Sequence, residues 1–291
     1  MSSLSLLVLW LLWSIFPPLK PAPPAIPPPG DGLDEVLLNY IEHNPSGNST
    51  VLLIHGACTS GLNWDLVVPH LADTYHLLVP DLPGHGRSQN VNPFSAEYSS
   101  RLLERLIRKH AHDGSAHVVG HSLGANVAIE LITTYPQVVN TAFVSGFAKY
   151  PQTKLTPFFP YGFWADGRLQ KLIPRPVVEW LMDGTDLGNS PPCSMQLCRQ
   201  IVPVLVGTWP SPWPARTLIV AAGKSGILPS SDRLEDARKL MEIGKEKNTQ
   251  TIAVTHPLMR HPWNRQDPPL FAQTARAWFE GEELPVGFHN V

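Results

Sequence analysis

The pentapeptide Gly120-His121-Ser122-Leu123-Gly124 separates the apolar residues Ala116, Val118 and Val119 from a segment whose apolar residues have helical spacing. A G-x-S-x-G pattern between a strand and a helix is typical of a nucleophile elbow, a tight turn that lifts a serine hydroxyl above a sheet. Strand and helix approach closely in such a turn, so its neighbours must be small, and Gly120, Gly124 and Ala125 are small. The helix dipole also favours negative charge at Ser122. The pattern predicts Ser122 as a nucleophile.

Two other segments combine a strand with a loop that could serve such a nucleophile. Residues 51–54 read as a fully buried strand and run into His55-Gly56-Ala57-Cys58. Small residues there allow a backbone N–H to point at a reacting oxygen, so we predict an oxyanion hole formed by the N–H groups of Ala57 and Leu123. A second buried strand, 76–80, ends in Asp81-Leu82-Pro83-Gly84-His85-Gly86-Arg87-Ser88.

In order, HGAC (55–58), DLPGHGRS (81–88) and GHSLGA (120–125) resemble the α/β-hydrolase superfamily, in particular its esterase, thioesterase and lactonase branch. Predicted strands, the first near residues 35–41, alternate with predicted helices, the first near residues 62–72. This alternation independently predicts an α/β fold with a mostly parallel sheet covered on both faces. The resemblance adds an inserted cap, a small-molecule acyl substrate, no cofactor and the chain order serine, acid, histidine. It makes the 81–88 loop mainly a structural turn, so its Asp81, His85 and Arg87 stay outside the predicted catalytic set.

The histidine of such a site should follow the last strand, which we predict over residues 249–254. Both His256 and His261 follow it. His261 opens the segment HPWNRQDP (261–268), which precedes an amphipathic helix and resembles the C-terminal part of fungal members of the family. This resemblance favours His261 as the general base, with His256 as the alternative. It also implies a role in building or releasing a secondary metabolite.

The acid is the least regular part of the pattern. Family members place an aspartate shortly after the strand that ends here at Gly223, but Gly226 occupies that position. The first carboxylate is Asp232, followed by Glu235 and Asp236. We predict Asp232 as the acid, displaced by a short insertion. Glu235 and Asp236 are alternatives, and Asp232 would also suit the N-cap of the next helix. Without an acid, the histidine tautomer would be poorly fixed.

Composition excludes several other classes of function. The chain has 291 residues and a net charge of −2, which gives no electrostatic case for a nucleic-acid partner. No clustered His/Cys spacing suggests a metal site, and no glycine-rich phosphate loop follows a strand. Cys58, Cys193 and Cys198 do not make a disulfide framework. We expect free thiols, with a Cys193–Cys198 pair as the alternative and Cys58 as a small packing residue.

The chain divides into an N-terminal extension (1–30), a core (31–146 and 217–291) and a cap (147–216). The cap segment is rich in proline and aromatic residues, which favours an apolar or aromatic substrate of moderate size. The extension holds an apolar run at 4–16 before a proline-rich stretch. It reads as a signal or anchor, a hydrophobic segment packed on the domain or a partner, or an inexact start of the coding sequence. Membrane association and localisation, cytoplasmic or secretory, therefore stay open.

Together, these residues predict a serine hydrolase. Ser122 attacks an acyl carbonyl, His261 takes its proton and Asp232 orients the imidazole, while Ala57 and Leu123 hold the oxyanion. Epoxide hydrolases and dehalogenases of this fold would need aspartate at position 122. A C–C bond hydrolase would use the same residues. The displaced acid also leaves a non-hydrolytic protein that binds, cyclises or dehydrates its ligand as an alternative.

Overall fold

A computed structural model describes residues 36–188, 193–225 and 230–291. The predictions made for residues 1–30 and for Gly226 lie outside these ranges. The described strands are β1 (Tyr40–His43), β2 (Thr50–Ile54), β3 (His76–Pro80), β4 (Ala116–His121), β5 (Val139–Ser145), β6 (Thr217–Ala222), β7 (Ile252–His256) and β8 (His289–Asn290). The helices of the same ranges are α1 (Ala96–His110), α2 (Leu123–Thr134), α3 (Phe159–Leu169), α4 (Arg175–Leu181), α5 (Met195–Leu205), α6 (Leu234–Lys245), α7 (Trp263–Gln266) and α8 (Pro268–Glu280).

The described strands form an eight-stranded sheet in the order β1-β3-β2-β4-β5-β6-β7-β8. All neighbours from β3 to β7 are parallel, and the edge strands β1 and β8 pair antiparallel with β3 and β7. The inner strands β2, β3 and β6 are buried at every residue, which explains their continuous apolar sequences. The predicted mostly parallel α/β sheet is confirmed. β1 lies further along the chain than residues 35–41, and β8 was not predicted.

Alternate residues of each inner strand face opposite sides of the sheet. On β2, Leu52 and Ile54 pack in a core cluster with α1 and α2. Their neighbours Val51 and Leu53 pack in a second cluster with Trp64 and the α8 residue Phe271. Helices therefore cover both faces, as the sequence pattern predicted. A helix expected over residues 62–72 is instead two short 3-10 turns, Gly61–Trp64 and Val68–His70.

The expectation that the cysteines are free thiols is wrong for two of them. Cys58 and Cys193 form a disulfide with a Cα–Cα distance of 5.2 Å, although 135 residues separate them in sequence. Cys198, the predicted alternative partner of Cys193, lies buried as a free thiol on α5. Sequence spacing could not reveal this pairing, because it depends on the start of α5 packing against the loop after β2.

Within the described ranges, no helix combines the length and apolar character needed to cross a membrane.

Candidate active site

Ser122 occupies the sharp turn between β4 and α2. Its backbone angles are φ 57° and ψ −119°, a conformation that costs a non-glycine residue about 1–3 kcal/mol and persists where the surrounding structure enforces it. A Cβ atom on Gly124 would lie 2.2 Å from the carbonyl oxygen of Ile54. One on Gly120 would lie 2.4 Å from the carbonyl oxygen of Gly124. The glycines therefore let α2 pack close against β2 and β4.

Gly124→Ala should lower the free energy of unfolding by about 1–3 kcal/mol, because the new methyl group overlaps backbone atoms that cannot move aside freely. Gly162→Ala is the matched control, since a Cβ at this α3 position would meet nothing within 4 Å. There the better helix propensity of alanine should leave stability unchanged or raise it by up to about 1 kcal/mol. Urea unfolding of both variants measures the difference, and equal effects would contradict the close approach at the elbow.

His261 and Asp232 are brought together by two loops at the carboxyl edge of the sheet. The Nδ1 atom of His261 lies 2.5 Å from Oδ1 of Asp232. The other carboxylate oxygen, Oδ2, accepts a 2.7 Å hydrogen bond from the N–H of Ala222 at the end of β6. The backbone N–H of His261 donates to the carbonyl of Ser230 at 2.6 Å. Asp232 is only 6% exposed while His261 is 36% exposed, so the imidazole has a solvent-facing side.

Ser122 directly follows β4, which β5 separates from β6 and β7, the strands that precede Asp232 and His261. The N–H of Ser122 donates to the carbonyl of Ser145, the last residue of β5, at 2.8 Å. A Cβ atom on the next residue, Gly146, would lie 2.6 Å from Cε1 of His261 and 3.6 Å from Oδ1 of Asp232. The ring of His261 also packs against the ring of His121, the residue before Ser122, with 4.9 Å between the ring centroids. The structure therefore gathers Ser122, His261 and Asp232 around Gly146. The sequence analysis did not single out this glycine.

The electrostatics of the two neighbouring imidazoles differ. Burial lowers the pKa of His261, but the charge of Asp232 and its hydrogen bond outweigh burial and leave that pKa above its ordinary value. Burial, helped by the nearby charge of His261, holds the pKa of His121 well below its ordinary value. His121 therefore stays neutral, and His261 is the ring that can hold a proton beside Ser122.

The predicted oxyanion-hole donors lie on either side of the serine. Leu123 is the first residue of α2, so its N–H has no partner within the helix. The loop that carries Ala57 is held by His55, whose Nδ1–H donates to the carbonyl of Gly56 at 2.7 Å. Its Nε2 accepts a 3.0 Å hydrogen bond from the N–H of Leu82, which fixes the ring tautomer. Burial lowers the pKa of His55 to about 4, so the imidazole that holds this loop is uncharged at neutral pH.

Asp81 and His85 of the 81–88 loop form hydrogen bonds with backbone groups. Asp81 accepts hydrogen bonds from the N–H groups of Gly61 at 2.7 Å and Arg87 at 2.8 Å. His85 bonds the carbonyl of Pro83 through Nδ1 at 2.9 Å. Asp81 and His85 therefore hold turns together, in agreement with leaving this loop outside the catalytic set.

The alternative acids and base are placed elsewhere. Glu235 is exposed and faces Arg233 at 3.9 Å, and Asp236 accepts the backbone N–H of Lys149 at 3.0 Å. His256 accepts the N–H of Leu258 through Nδ1 and packs against Phe288. The N-cap residue of α6 is Arg233, so Asp232 does not serve as a helix cap. Of the candidate acids, Asp232 is the one bonded to His261.

Arg260, which the sequence analysis did not single out, ties the loop of His261 to the segment between β5 and β6. Its Nη1 donates to Oγ of Ser230 at 2.7 Å, and its Nε bonds the carboxylate of Asp183. Lys224 adds a second cation to that carboxylate, with an Nζ–Oδ2 distance of 2.7 Å. These hydrogen bonds lower the pKa of Asp183, first through Arg260 and then through Lys224. The described residues hold no group of three or more His, Cys, Asp or Glu side chains that could bind a metal ion.

Comparison with known proteins identifies the family. Residues 51–287 match the model of the alpha/beta hydrolase family. The chain is 36% identical over 261 residues to an AB hydrolase superfamily protein of Gibberella zeae, a match that covers 89% of each chain. The protein therefore belongs to the α/β hydrolase family.

Proteins with a named activity match this chain either at lower sequence identity or over a smaller part of its length. The chain is 36% identical over 102 residues to lipase LipV of Mycobacterium tuberculosis, which covers 35% of this chain and 38% of the lipase. A marine microorganism esterase superposes with a TM-score of 0.62 at 20% identity, covering 82% of this chain and 98% of the esterase. The epoxide hydrolase CorEH gives 0.61 at 16% identity, covering 84% and 97%. An esterase and an epoxide hydrolase share this fold, so the chemistry must be argued from side chains.

Proposed function

We propose that this protein is a serine hydrolase that cleaves an ester, thioester or lactone of a small apolar or aromatic compound through an acyl-enzyme. The observation that carries the proposal is the 2.5 Å hydrogen bond between Asp232 and Nδ1 of His261, placed beside the strained Ser122 turn. A nucleophile, a base and an acid that orients the base are the parts that this chemistry requires. The resemblance of the C-terminal segment to fungal members supports a substrate from secondary metabolism.

The proposed reaction uses each residue in a defined role. Oγ of Ser122 attacks the acyl carbon while Nε2 of His261 takes its proton, and the N–H groups of Ala57 and Leu123 bind the oxyanion. The intermediate collapses when the same proton passes to the departing alcohol or thiol. Water then loses a proton to His261 and attacks the acyl-enzyme. His261 returns this proton to Oγ of Ser122 as the Oγ–acyl bond breaks, which releases the acid and restores both residues. Asp232 remains ionised and stabilises the imidazolium.

The side chains also weigh against the alternatives. A non-hydrolytic role was motivated by the missing aspartate at position 226, and Asp232 supplies a carboxylate bonded to His261. Ser122, in place of aspartate, weighs against an epoxide hydrolase or dehalogenase. No described contact favours a C–C bond hydrolase over an esterase.

We also propose that residues 147–216 act as a cap over the catalytic residues. Two attachments support this placement. Asp183 pairs with Arg260, the neighbour of His261, and Cys193 is bonded to Cys58, the neighbour of Ala57. The inserted segment is therefore tied to the loop of the base on one side and to the loop of the oxyanion hole on the other.

Labelling by a fluorophosphonate probe tests the proposed nucleophile. The wild-type protein should be labelled, and Ser122→Ala should not, because the probe phosphonylates an activated serine. Ser145→Ala is the matched serine control and should still be labelled. Absence of labelling in a folded wild-type protein, also with a small phosphonofluoridate that the cap cannot exclude, would overturn the proposal. Labelling would lead to hydrolysis assays with nitrophenyl esters, acyl thioesters and lactones.

The value of kcat/KM should fall as the pH drops through the pKa of His261, because the protonated imidazole cannot accept the Ser122 proton. Burial lowers the pKa of His261, but Asp232 raises it by more, so the acid limb should lie above the ordinary pKa of histidine. In Asp232→Asn the charge is lost and burial remains, so the limb should move to lower pH. Profiles of kcat/KM from about pH 5 to about pH 9 measure both. An acid limb at the same pH in both proteins would contradict the assignment.

A further inference from the structure

Asp183 lies just after α4 in the inserted segment, where the chain turns sharply. Its φ is 58°, in the left-handed region, where glycine costs least and is the usual residue at the end of a helix. The next residue, Gly184, also has a positive φ, and its N–H donates to the carbonyl of Glu179 at 2.7 Å. A carboxylate here also meets the negative end of the helix dipole. Local structure therefore disfavours aspartate at position 183, and distant contacts compensate for it.

Two cations from two different loops bind this carboxylate. Oδ2 of Asp183 lies 2.7 Å from Nζ of Lys224, which belongs to the segment leading from β6 to Asp232. The same oxygen accepts a hydrogen bond from Nε of Arg260, the residue before His261. Asp183 therefore connects the segment of the proposed acid with the segment of the proposed base.

Arg260 carries this connection to the backbone of the base. Its guanidinium is buried, and Nη1 donates to Oγ of Ser230 at 2.7 Å. The carbonyl of the same Ser230 accepts the N–H of His261 at 2.6 Å. A buried cation that loses its carboxylate partner is strongly unfavourable. Removal of the Asp183 carboxylate would therefore favour movement of the loop that holds His261.

The other buried arginine of the base loop is held differently. Arg265 bonds the inserted segment through the carbonyl of Asp186, and its Nη2 lies 3.5 Å from the carboxylate of that residue. Arg265 also pairs with Asp65, a carboxylate of the core. Arg265 therefore keeps a core partner if the inserted segment moves, whereas the carboxylate that Arg260 binds comes from the inserted segment itself. Asp183 is the carboxylate through which the inserted segment acts on the loop of the base.

From these contacts we propose that Asp183 is a positioning residue, which holds the loops of His261 and Asp232 at the separation that their 2.5 Å hydrogen bond requires. It acts through Arg260 and Lys224 and does not need to touch the substrate. The inference rests on the proposed function, because it assigns control of the same site. The inserted segment then sets the geometry of the base in addition to covering it.

Two substitutions at Asp183 test the proposal in the full chain. Asparagine keeps the size of the side chain and tolerates a positive φ, and glycine relieves the backbone strain, but both remove the charge. Asp183→Asn and Asp183→Gly should each lower kcat for p-nitrophenyl acetate about tenfold to a hundredfold and change KM by less than about twofold, since a small misplacement of the base has effects of this size. If Asp183 only ended a helix, Asp183→Gly would keep or raise stability and leave kcat unchanged, which would overturn the proposal.

The rates are compared at about pH 9, where the imidazole of His261 is neutral in every variant, so that an altered pKa does not account for the loss. Asp113 supplies the matched control. It also has a positive φ, 53°, but lies in an exposed turn before β4, at the opposite edge of the sheet. Asp113→Asn and Asp113→Gly should leave kcat unchanged.

Proton NMR gives a readout that does not depend on hydrolysis. The Nδ1 proton of His261, held in a short hydrogen bond to Asp232, should give a signal downfield of the backbone amides, which His261→Gln identifies by removing it. In both Asp183 variants this signal should move toward the amides or vanish by exchange with water. If the wild type hydrolysed no substrate, the proposed function would fail, and the signal would still decide whether Asp183 positions His261. A fall in kcat with an unchanged signal would overturn the proposal, because Asp183 would then act on the substrate.

A double variant covers the case in which Asp183→Asn does not fold because Arg260 is left as a buried, unpaired cation. Asp183→Asn combined with Arg260→Gln removes both charges and should show the same loss of kcat and the same change in the NMR signal. Wild-type kcat and an unchanged signal in the double variant would overturn the proposal.

Discussion

Asp232→Asn should lower kcat for ester hydrolysis by about four orders of magnitude while leaving the fold intact. The reason lies in the two hydrogen bonds of this carboxylate. The N–H of Ala222 needs an acceptor and would keep the amide oxygen, so the amide NH₂ would face Nδ1 of His261. Nδ1 would then accept a hydrogen bond, and the ring proton would move to Nε2. A ring protonated on Nε2 cannot take a proton from Ser122.

Glu235→Gln is the matched control for this experiment. Its carboxylate is three residues further along the chain, is exposed and pairs with Arg233 at 3.9 Å, so its loss should change kcat by no more than about a factor of two. Initial rates with p-nitrophenyl acetate, together with a thermal melt of each variant, measure the effect. If Asp232→Asn kept more than about a tenth of the wild-type rate, Asp232 would not be the orienting acid.

The sharp turn that holds the proposed nucleophile was predictable because its signal is local. Ser122 lies between a strand and a helix within a few residues of sequence, and the glycines around it reflect close packing that any such turn requires. The sheet was predictable for a similar reason, since strands buried on both faces show as continuous apolar runs. The edge strand β8 was not predictable in this way. β8 has two exposed residues and no apolar pattern.

The contact between Asp232 and His261, on which the proposed acid rests, needed the structure because an aspartate before a helix has two equally good local interpretations. At Asp232 a helix cap and a catalytic carboxylate would give the same sequence pattern. The distinction rests on partners outside this turn, His261 and Ala222, and on α6 beginning one residue later than a capping aspartate would require. Contacts of this kind leave no periodic pattern in the amino-acid sequence. The pairing of Asp183 with Arg260 was missed for the same reason.

The disulfide between Cys58 and Cys193 is the clearest non-local contact, and its removal should have the largest effect on stability. Cys58→Ala combined with Cys193→Ala should lower the free energy of unfolding by about 2–5 kcal/mol. The cross-link closes a long loop, with a sequence separation of 135 residues, so it removes much of the freedom of the unfolded chain. It also fixes the inserted segment beside Ala57, so kcat should fall along with stability.

Denaturant unfolding with and without a reducing agent separates the cross-link from the packing of the side chains. Reduction should destabilise the wild type to the level of the double variant and leave the double variant unchanged, because that variant has no bond to break. Cys198→Ala is the matched control: this buried thiol is free, so the variant should keep the full sensitivity to reductant. A wild type with the same stability under oxidising and reducing conditions would show that the bond does not hold the inserted segment, and the attachment would then rest on Asp183 and Arg260.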